Sequence, residues 1–131
     1  MIPVYRPAVS QAEIDAVAEA LRSGWWGSGP RTVEFEERFA EAVGASRAVG
    51  MSSATAALHC TLVALGVAGG EVVTSALTFA GANNTIVHAG ARPVFADIDP
   101  ETLTLDPASI ETRIGPTTRA ILVTDYGGHP A

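Results

Sequence analysis

Lysine is absent from this chain of 131 residues, because all 8 basic residues are arginine. No mechanism that needs a lysine amine can therefore be completed by this chain alone. Cysteine is scarce as well, and a single cysteine, Cys60, excludes an internal disulfide. Cys60 lies in an apolar stretch without a cationic neighbour in sequence, which favours a buried and unreactive thiol.

Long apolar runs and an excess of positive charge are also missing. No run reaches the roughly 18 residues that a membrane helix needs, and no basic region precedes an apolar segment at the N-terminus. We therefore expect a soluble, cytoplasmic protein that has no membrane partner. Acidic residues number 14 and the net charge is -6, so nucleic-acid binding is not expected either. No two of the three histidines have the spacing of metal ligands, and no metal site is predicted.

The first 45 residues carry helical patterns. A capping box, Ser10 to Glu13, followed by apolar residues at the spacing of one helix face, predicts a helix over 10–23. A glycine-rich segment, "GWWGSGP", interrupts the pattern. A second amphipathic helix then runs to Gly44. Residues 1–45 are thus predicted to form an N-terminal helical segment.

Strands and helices alternate over residues 46–131. The predicted strands are 47–51, 71–75, 93–98 and 120–124, and the predicted helices are 55–65, 80–89 and 107–114. Short apolar strands separated by helices indicate an α/β fold with a mostly parallel, open sheet covered on both faces. Because no helix closes this pattern at the C-terminal end, we expect an incomplete α/β domain.

Small hydroxyl residues mark the turn between the first predicted strand and its helix, "SSATAAL" from Ser52 to Leu58. In an open α/β sheet such turns lie where ligands bind, and free amides of the helix N-terminus attract anions. Small side chains would let a phosphate approach the backbone, and the hydroxyls of Ser53 and Thr55 could donate to it. The simpler interpretation is that a serine only caps the helix, and the two roles are compatible.

An aromatic residue, Phe79, occupies the corresponding turn after the next strand, in "TFAGANN". Its ring could lie against a flat cofactor held by the first turn. A single phenylalanine at a strand end more often belongs to the core, however.

The segments in their order resemble the DegT/DnrJ/StrS group of pyridoxal-phosphate-dependent sugar aminotransferases, which have the fold of aspartate aminotransferase. The resemblance covers essentially the whole chain and is carried by "IPVYRP", "LRSGWWGSGP", "VEFEERFAEAVGASRAVGMSSATAALH", "EVVTSALTFAGANNTIVHAGARPVFADIDPETLTLDP" and "TRAILVTDYGGHPA". It implies pyridoxal 5'-phosphate as the cofactor, glutamate or a similar amino donor, a nucleotide-linked keto sugar as the acceptor, and a homodimer.

The resemblance also implies roles for particular residues. Ser53, Ala54 and Thr55 would hold the cofactor phosphate, and the ring of Phe79 would stack on the pyridine. Tyr5 and the segment Trp25, Trp26 and Gly27 match positions that approach the sugar in some relatives. The paired tryptophans could instead be core or subunit interface.

The resemblance implies no catalytic residue in this chain. The aspartate that pairs with the pyridine nitrogen and the lysine that binds the cofactor covalently belong to segments beyond the portion that this chain matches, roughly the first third of a family member. We therefore expect the isolated chain to be inactive. Three alternatives stay open: part of a cofactor-dependent sugar dehydratase, a small nucleotide- or phosphate-binding α/β module, and a non-catalytic remnant.

Overall fold

The computed structural model describes residues 6–131, so the predicted substrate residue Tyr5 lies outside the described residues. The chain divides into two compact units, one ending at Gly50 and the other beginning at Met51. In the part of the chain described, no helix has the length and apolar character needed to cross a membrane.

The first unit contains two helices, α1 (Gln11–Arg22) and α2 (Pro30–Val43). At the start of α1 the Glu13 carboxylate accepts hydrogen bonds from the Ser10 amide, at 2.7 Å, and from the Ser10 hydroxyl. Helix α2 ends at Gly44, whose φ of 68° is the left-handed conformation that glycine adopts without strain. Both helices lie where the capping and glycine signals predict them.

The second unit alternates helices and strands. Its elements are α3 (Ala54–Ala64), β1 (Glu71–Ser75), α4 (Ala80–His88), β2 (Arg92–Ala96), α5 (Pro107–Arg113) and β3 (Thr118–Leu122), followed by a short 3-10 turn, Tyr126–Gly128. The strands form a parallel sheet in the order β2-β1-β3. The predicted fold class, an α/β domain with a parallel sheet, is confirmed.

The central strand β1 separates two apolar clusters, because successive strand residues point to opposite faces. Val72 packs with Leu62 of α3 and Ile86 of α4 on one face. On the other face Val73 packs with Leu105, and Ile110 of α5 lies against that cluster. Helices α3 and α4 therefore cover one side of the sheet and α5 covers part of the other.

The predicted strand over 47–51 is wrong: these residues have no regular secondary structure. A strand requires a hydrogen-bonded neighbour, and within residues 6–131 the three strands of the sheet pair only with one another. An apolar run in the sequence indicates the tendency to be extended but cannot supply the partner.

The expectation of a buried thiol is also wrong, because Cys60 is exposed. Leu62, which points into the core, lies two residues further along α3. Two residues correspond to about 200° around a helix, so Cys60 lies on the side of α3 that faces away from the core. The apolar character of α3 on all sides concealed which face is covered.

Candidate functional site

The N-termini of α3 and α4 lie side by side. Thr55, in the first turn of α3, contacts Gly81, in the first turn of α4, while beyond the other ends of the helices Ala68 lies close to Gly90. The two helices therefore run in the same direction. Since α4 follows β1 after four residues, both N-termini lie at the carboxyl edge of the sheet, where α/β proteins bind ligands.

Gly81 is the point at which the two predicted cofactor residues meet. A Cβ atom built on Gly81 would lie 2.6 Å from Cε1 of Phe79 and 2.9 Å from Oγ1 of Thr55. Both distances are shorter than van der Waals contact, so any larger residue at this position would displace the ring, the hydroxyl or both. Sequence reasoning missed this role, although a glycine within a helix, where alanine is favoured, indicates a packing requirement.

The Phe79 side chain is 78% exposed and so does not belong to the core. Its backbone is the N-cap of α4, and its side chain makes no capping hydrogen bond. An exposed ring beside a helix N-terminus offers an apolar face on which a planar molecule can stack.

Ser53 caps α3: its Oγ accepts from the Ala56 amide at 3.1 Å, and its carbonyl accepts from the Ala57 amide at 3.0 Å. The capping interpretation is confirmed. Within residues 6–131 the amides of Ala54 and Thr55 have no acceptor, so two donors remain at the positive end of the helix dipole. The capped helix thus retains the groups that would bind an anion.

Trp25, Trp26 and Gly27 lie in the first unit, in the loop between α1 and α2. The Trp25 indole donates to the Ser28 carbonyl at 2.9 Å, and the Trp26 indole donates to the Leu21 carbonyl at 3.1 Å. Both indoles are exposed, so they do not form the core of this unit. Trp25 and Gly27 line a cavity of about 320 Å³ whose wall includes an ion pair, Arg31 to Glu19 at 2.8 Å.

Asp125 follows β3 and accepts a hydrogen bond from the Ala131 amide at 3.1 Å. The rings of His59 and His88 approach edge to face, with centroids 6.3 Å apart. No group of three or more histidine, cysteine, aspartate or glutamate side chains in residues 6–131 could hold a metal ion.

Comparison with known proteins matches residues 7–131 to the DegT/DnrJ/EryC1/StrS aminotransferase family. The spore coat polysaccharide biosynthesis protein SpsC of Bacillus subtilis is 47% identical over 128 residues, which are 97% of this chain and 33% of SpsC. Spr1654 of Streptococcus pneumoniae is a proposed sugar aminotransferase whose structure is known in an apo form, a pyridoxal-phosphate (PLP) form and a pyridoxamine-phosphate (PMP) form. It superposes on this chain with a TM-score of 0.93 at 37% identity, and the match covers 99% of this chain and 33% of Spr1654.

The sugar aminotransferase CalS13 of Micromonospora echinospora superposes with a TM-score of 0.89 at 36% identity. The match covers 100% of this chain and 36% of CalS13. This chain thus spans about a third of the length of the relatives it matches.

Proposed function

Because the chain belongs to the DegT/DnrJ/EryC1/StrS aminotransferase family, we propose that it supplies half of the cofactor site of a pyridoxal-phosphate-dependent sugar aminotransferase. The observation that carries the proposal is the meeting of the Thr55 hydroxyl and the Phe79 ring over Gly81, beside the N-terminus of α3. The acceptor in the complete reaction would be a nucleotide-linked keto sugar and the donor an amino acid such as glutamate.

The residues present fit pyridoxal phosphate. The amides of Ala54 and Thr55 and the Thr55 hydroxyl are donors for the phosphate, as helix N-termini commonly provide. The exposed ring of Phe79 provides a stacking surface at the same place. When bound, the cofactor supplies the electron sink for amino transfer.

The chain's own contribution is binding and orientation. It has no lysine that could bind the cofactor covalently or shuttle protons, so we do not expect the isolated chain to catalyse transfer. We further propose that Tyr5, Trp25, Trp26 and Gly27 approach the sugar, that the protein acts in the cytoplasm, and that two copies associate. Within residues 6–131 the outer edges of β2 and β3 pair with no further strand, which supports association.

Pyridoxamine 5'-phosphate is a suitable probe, because it needs no lysine to bind and it fluoresces. We expect the 131-residue chain to bind it weakly in a fluorescence titration. Thr55→Val removes a hydrogen bond to a charged group, and we expect Kd to rise by about 5- to 150-fold. Thr61→Val is the matched control, since Thr61 lies on the same helix and, among residues 6–131, its hydroxyl bonds to the Ala57 carbonyl alone.

Phe79→Ala should weaken binding to a comparable extent through lost stacking area. Phe39→Ala, which removes an exposed phenylalanine from α2, controls for the loss of a ring elsewhere. If Thr55→Val and Phe79→Ala bind the probe as tightly as the parent chain, both residues are ordinary cap and surface residues and the proposal is wrong. A chain that binds nucleotides tightly and ignores the probe would be a nucleotide-binding module instead.

A further inference from the structure

We propose that Asn83 is a positioning residue for this site, because its amide fixes the turn that carries Phe79. The inference rests on the proposed function, since it concerns where the stacking ring is held. Asn83 lies one turn into α4, and its side-chain amide is hydrogen bonded to Thr74 and Ser75 of β1.

The Asn83 side chain binds the end of β1 with both of its polar atoms. Its Oδ1 accepts from the Thr74 hydroxyl at 2.9 Å, and its Nδ2 donates to the Ser75 carbonyl at 3.0 Å. Thr74 and Ser75 are the last two residues of β1, and they are 0% and 2% exposed. One planar group therefore fixes the start of α4 against the end of the buried strand.

The intervening turn, residues 76–79, is held by a few further contacts. The Leu77 amide donates to Oγ of Ser75 at 2.9 Å, and the Thr78 hydroxyl accepts from the Thr124 hydroxyl at 2.9 Å. Phe79 is largely exposed, so burial does not fix its ring. The position of the ring follows from the backbone of the turn, which Asn83 ties to β1 from the helix side.

Only asparagine among side chains of this size satisfies both partners. The Ser75 carbonyl can only accept, so the group facing it must be the amide nitrogen, and Oδ1 is then left to accept from Thr74. Aspartate would keep the bond from Thr74 but would place a carboxylate oxygen against the carbonyl. Leucine would leave the buried hydroxyl and the carbonyl without these partners.

The test compares Asn83→Leu with the double variant Thr74→Val/Asn83→Leu. Three quantities are measured: the Kd for pyridoxamine 5'-phosphate, the hydrogen-exchange rates of the Leu77 and Thr78 amides, and the urea unfolding midpoint. We expect Asn83→Leu to raise Kd about tenfold, to accelerate exchange in the turn by a similar factor and to lower the midpoint. The double variant removes the orphaned hydroxyl, so the midpoint should partly recover while Kd and exchange stay raised.

Recovery of Kd together with the midpoint would make Asn83 a stabilising residue only and would overturn the inference. Gln11→Leu, which removes a side-chain amide bond to Asp15 in α1, is the matched control and should leave Kd and the exchange of the turn unchanged. If Asn83→Leu does not fold, Asn83→Asp takes its place: it keeps the acceptor for Thr74 and loses only the bond to the Ser75 carbonyl, so Kd and the exchange of the turn should still rise, and unchanged exchange would overturn the inference.

The exchange rates separate this inference from the proposed function. If the parent chain does not bind the probe, the proposed function is contradicted, irrespective of the results for the Asn83 variants. Unchanged exchange at Leu77 and Thr78 in Asn83→Leu contradicts the positioning role whether or not the probe binds.

Discussion

The two units of the chain differ in what their apolar residues do. Within the described residues up to Gly50, Ala40 is the only buried apolar side chain, and the apolar faces of α1 and α2 are exposed. In residues 51–131, both faces of β1 are packed by side chains from neighbouring helices and strands. The difference teaches that an amphipathic pattern specifies a helix without specifying what covers its apolar face.

Polar groups show the same contrast. Thr74 and Ser75 are buried, and each is hydrogen bonded to Asn83. The indoles of Trp25 and Trp26 also have partners, but both side chains are exposed. Buried polar groups must be satisfied, so their geometry is strongly constrained, whereas exposed ones can exchange a partner for water. The polar groups at the carboxyl edge of the sheet are therefore better defined than the indoles of the first unit.

The largest expected effect tests the contrast in burial. Ile86→Ala removes a side chain that is 0% exposed from the cluster around Val72, and we expect the free energy of unfolding to fall by about 2–5 kcal/mol. Phe39→Ala removes a larger side chain from α2 that is 49% exposed, and we expect a loss of about 1 kcal/mol or less. Urea unfolding followed by circular dichroism measures both. Equal losses in the two variants would mean that the apolar face of α2 is covered in solution.

The sequence predicted the local elements well. The capping box at Ser10 located α1, and a short apolar run bounded by glycine and serine located β1 with the observed ends. These signals predict the elements correctly because capping and strand patterns depend on residues that are adjacent in sequence. The residues quoted for the cofactor site were likewise found from turn chemistry and resemblance, and their roles stay predictions.

Features that depend on tertiary contacts could not be predicted. No spacing rule reveals that the Asn83 amide reaches Thr74 and Ser75, or that Gly81 makes room for Thr55, because those contacts arise only when α3 and α4 pack on the sheet. The exposure of Cys60 was missed for the same reason. In each case the deciding fact was which face of a helix is covered.

Substitution of one glycine in each unit, Gly81 and Gly50, tests the comparison between the two units with a smaller expected effect. Gly81→Ala places a methyl group against the Phe79 ring and the Thr55 hydroxyl, and both can move aside because the ring is exposed and the hydroxyl rotates. The gain in helix propensity, at most about 1 kcal/mol, should offset part of this disturbance. We expect nearly unchanged stability but a roughly tenfold higher Kd for pyridoxamine 5'-phosphate, the equivalent of about 1.4 kcal/mol.

Gly50→Ala in the first unit is the matched control. Its Cβ would lie 3.4 Å from a Glu36 carboxylate oxygen, which is ordinary contact, so neither stability nor probe binding should change appreciably. If Gly81→Ala binds the probe like the parent chain, the meeting of Thr55 and Phe79 over this glycine is not needed for binding.

The smallest expected effect concerns the exposed capping interaction of α1. The Ser10 hydroxyl, followed by the Ser10 amide, holds the pKa of Glu13 below its ordinary value. A carboxyl whose pKa is lowered by folding contributes stability above its unfolded pKa, about 4.3, and loses that contribution as the pH falls through the folded pKa. Ser10→Ala removes the larger cause, so the pKa of Glu13 should rise towards its ordinary value and the pH-dependent part of the stability of α1 should become smaller.

Carboxyl chemical shifts of Glu13 followed by NMR from pH 2 to 7 would measure this change, and amide shifts of α1 would report the helix. Asp106→Ala is the control: Asp106 caps α5 by accepting from the Ala108 amide at 3.0 Å, and its loss should cost about 1 kcal/mol without moving the pKa of Glu13. Because both caps are local, each variant should affect its own helix alone. An unchanged Glu13 pKa in Ser10→Ala would show that the Ser10 hydroxyl does not bind the carboxylate in solution, and α1 would then begin without the interaction that its sequence predicts.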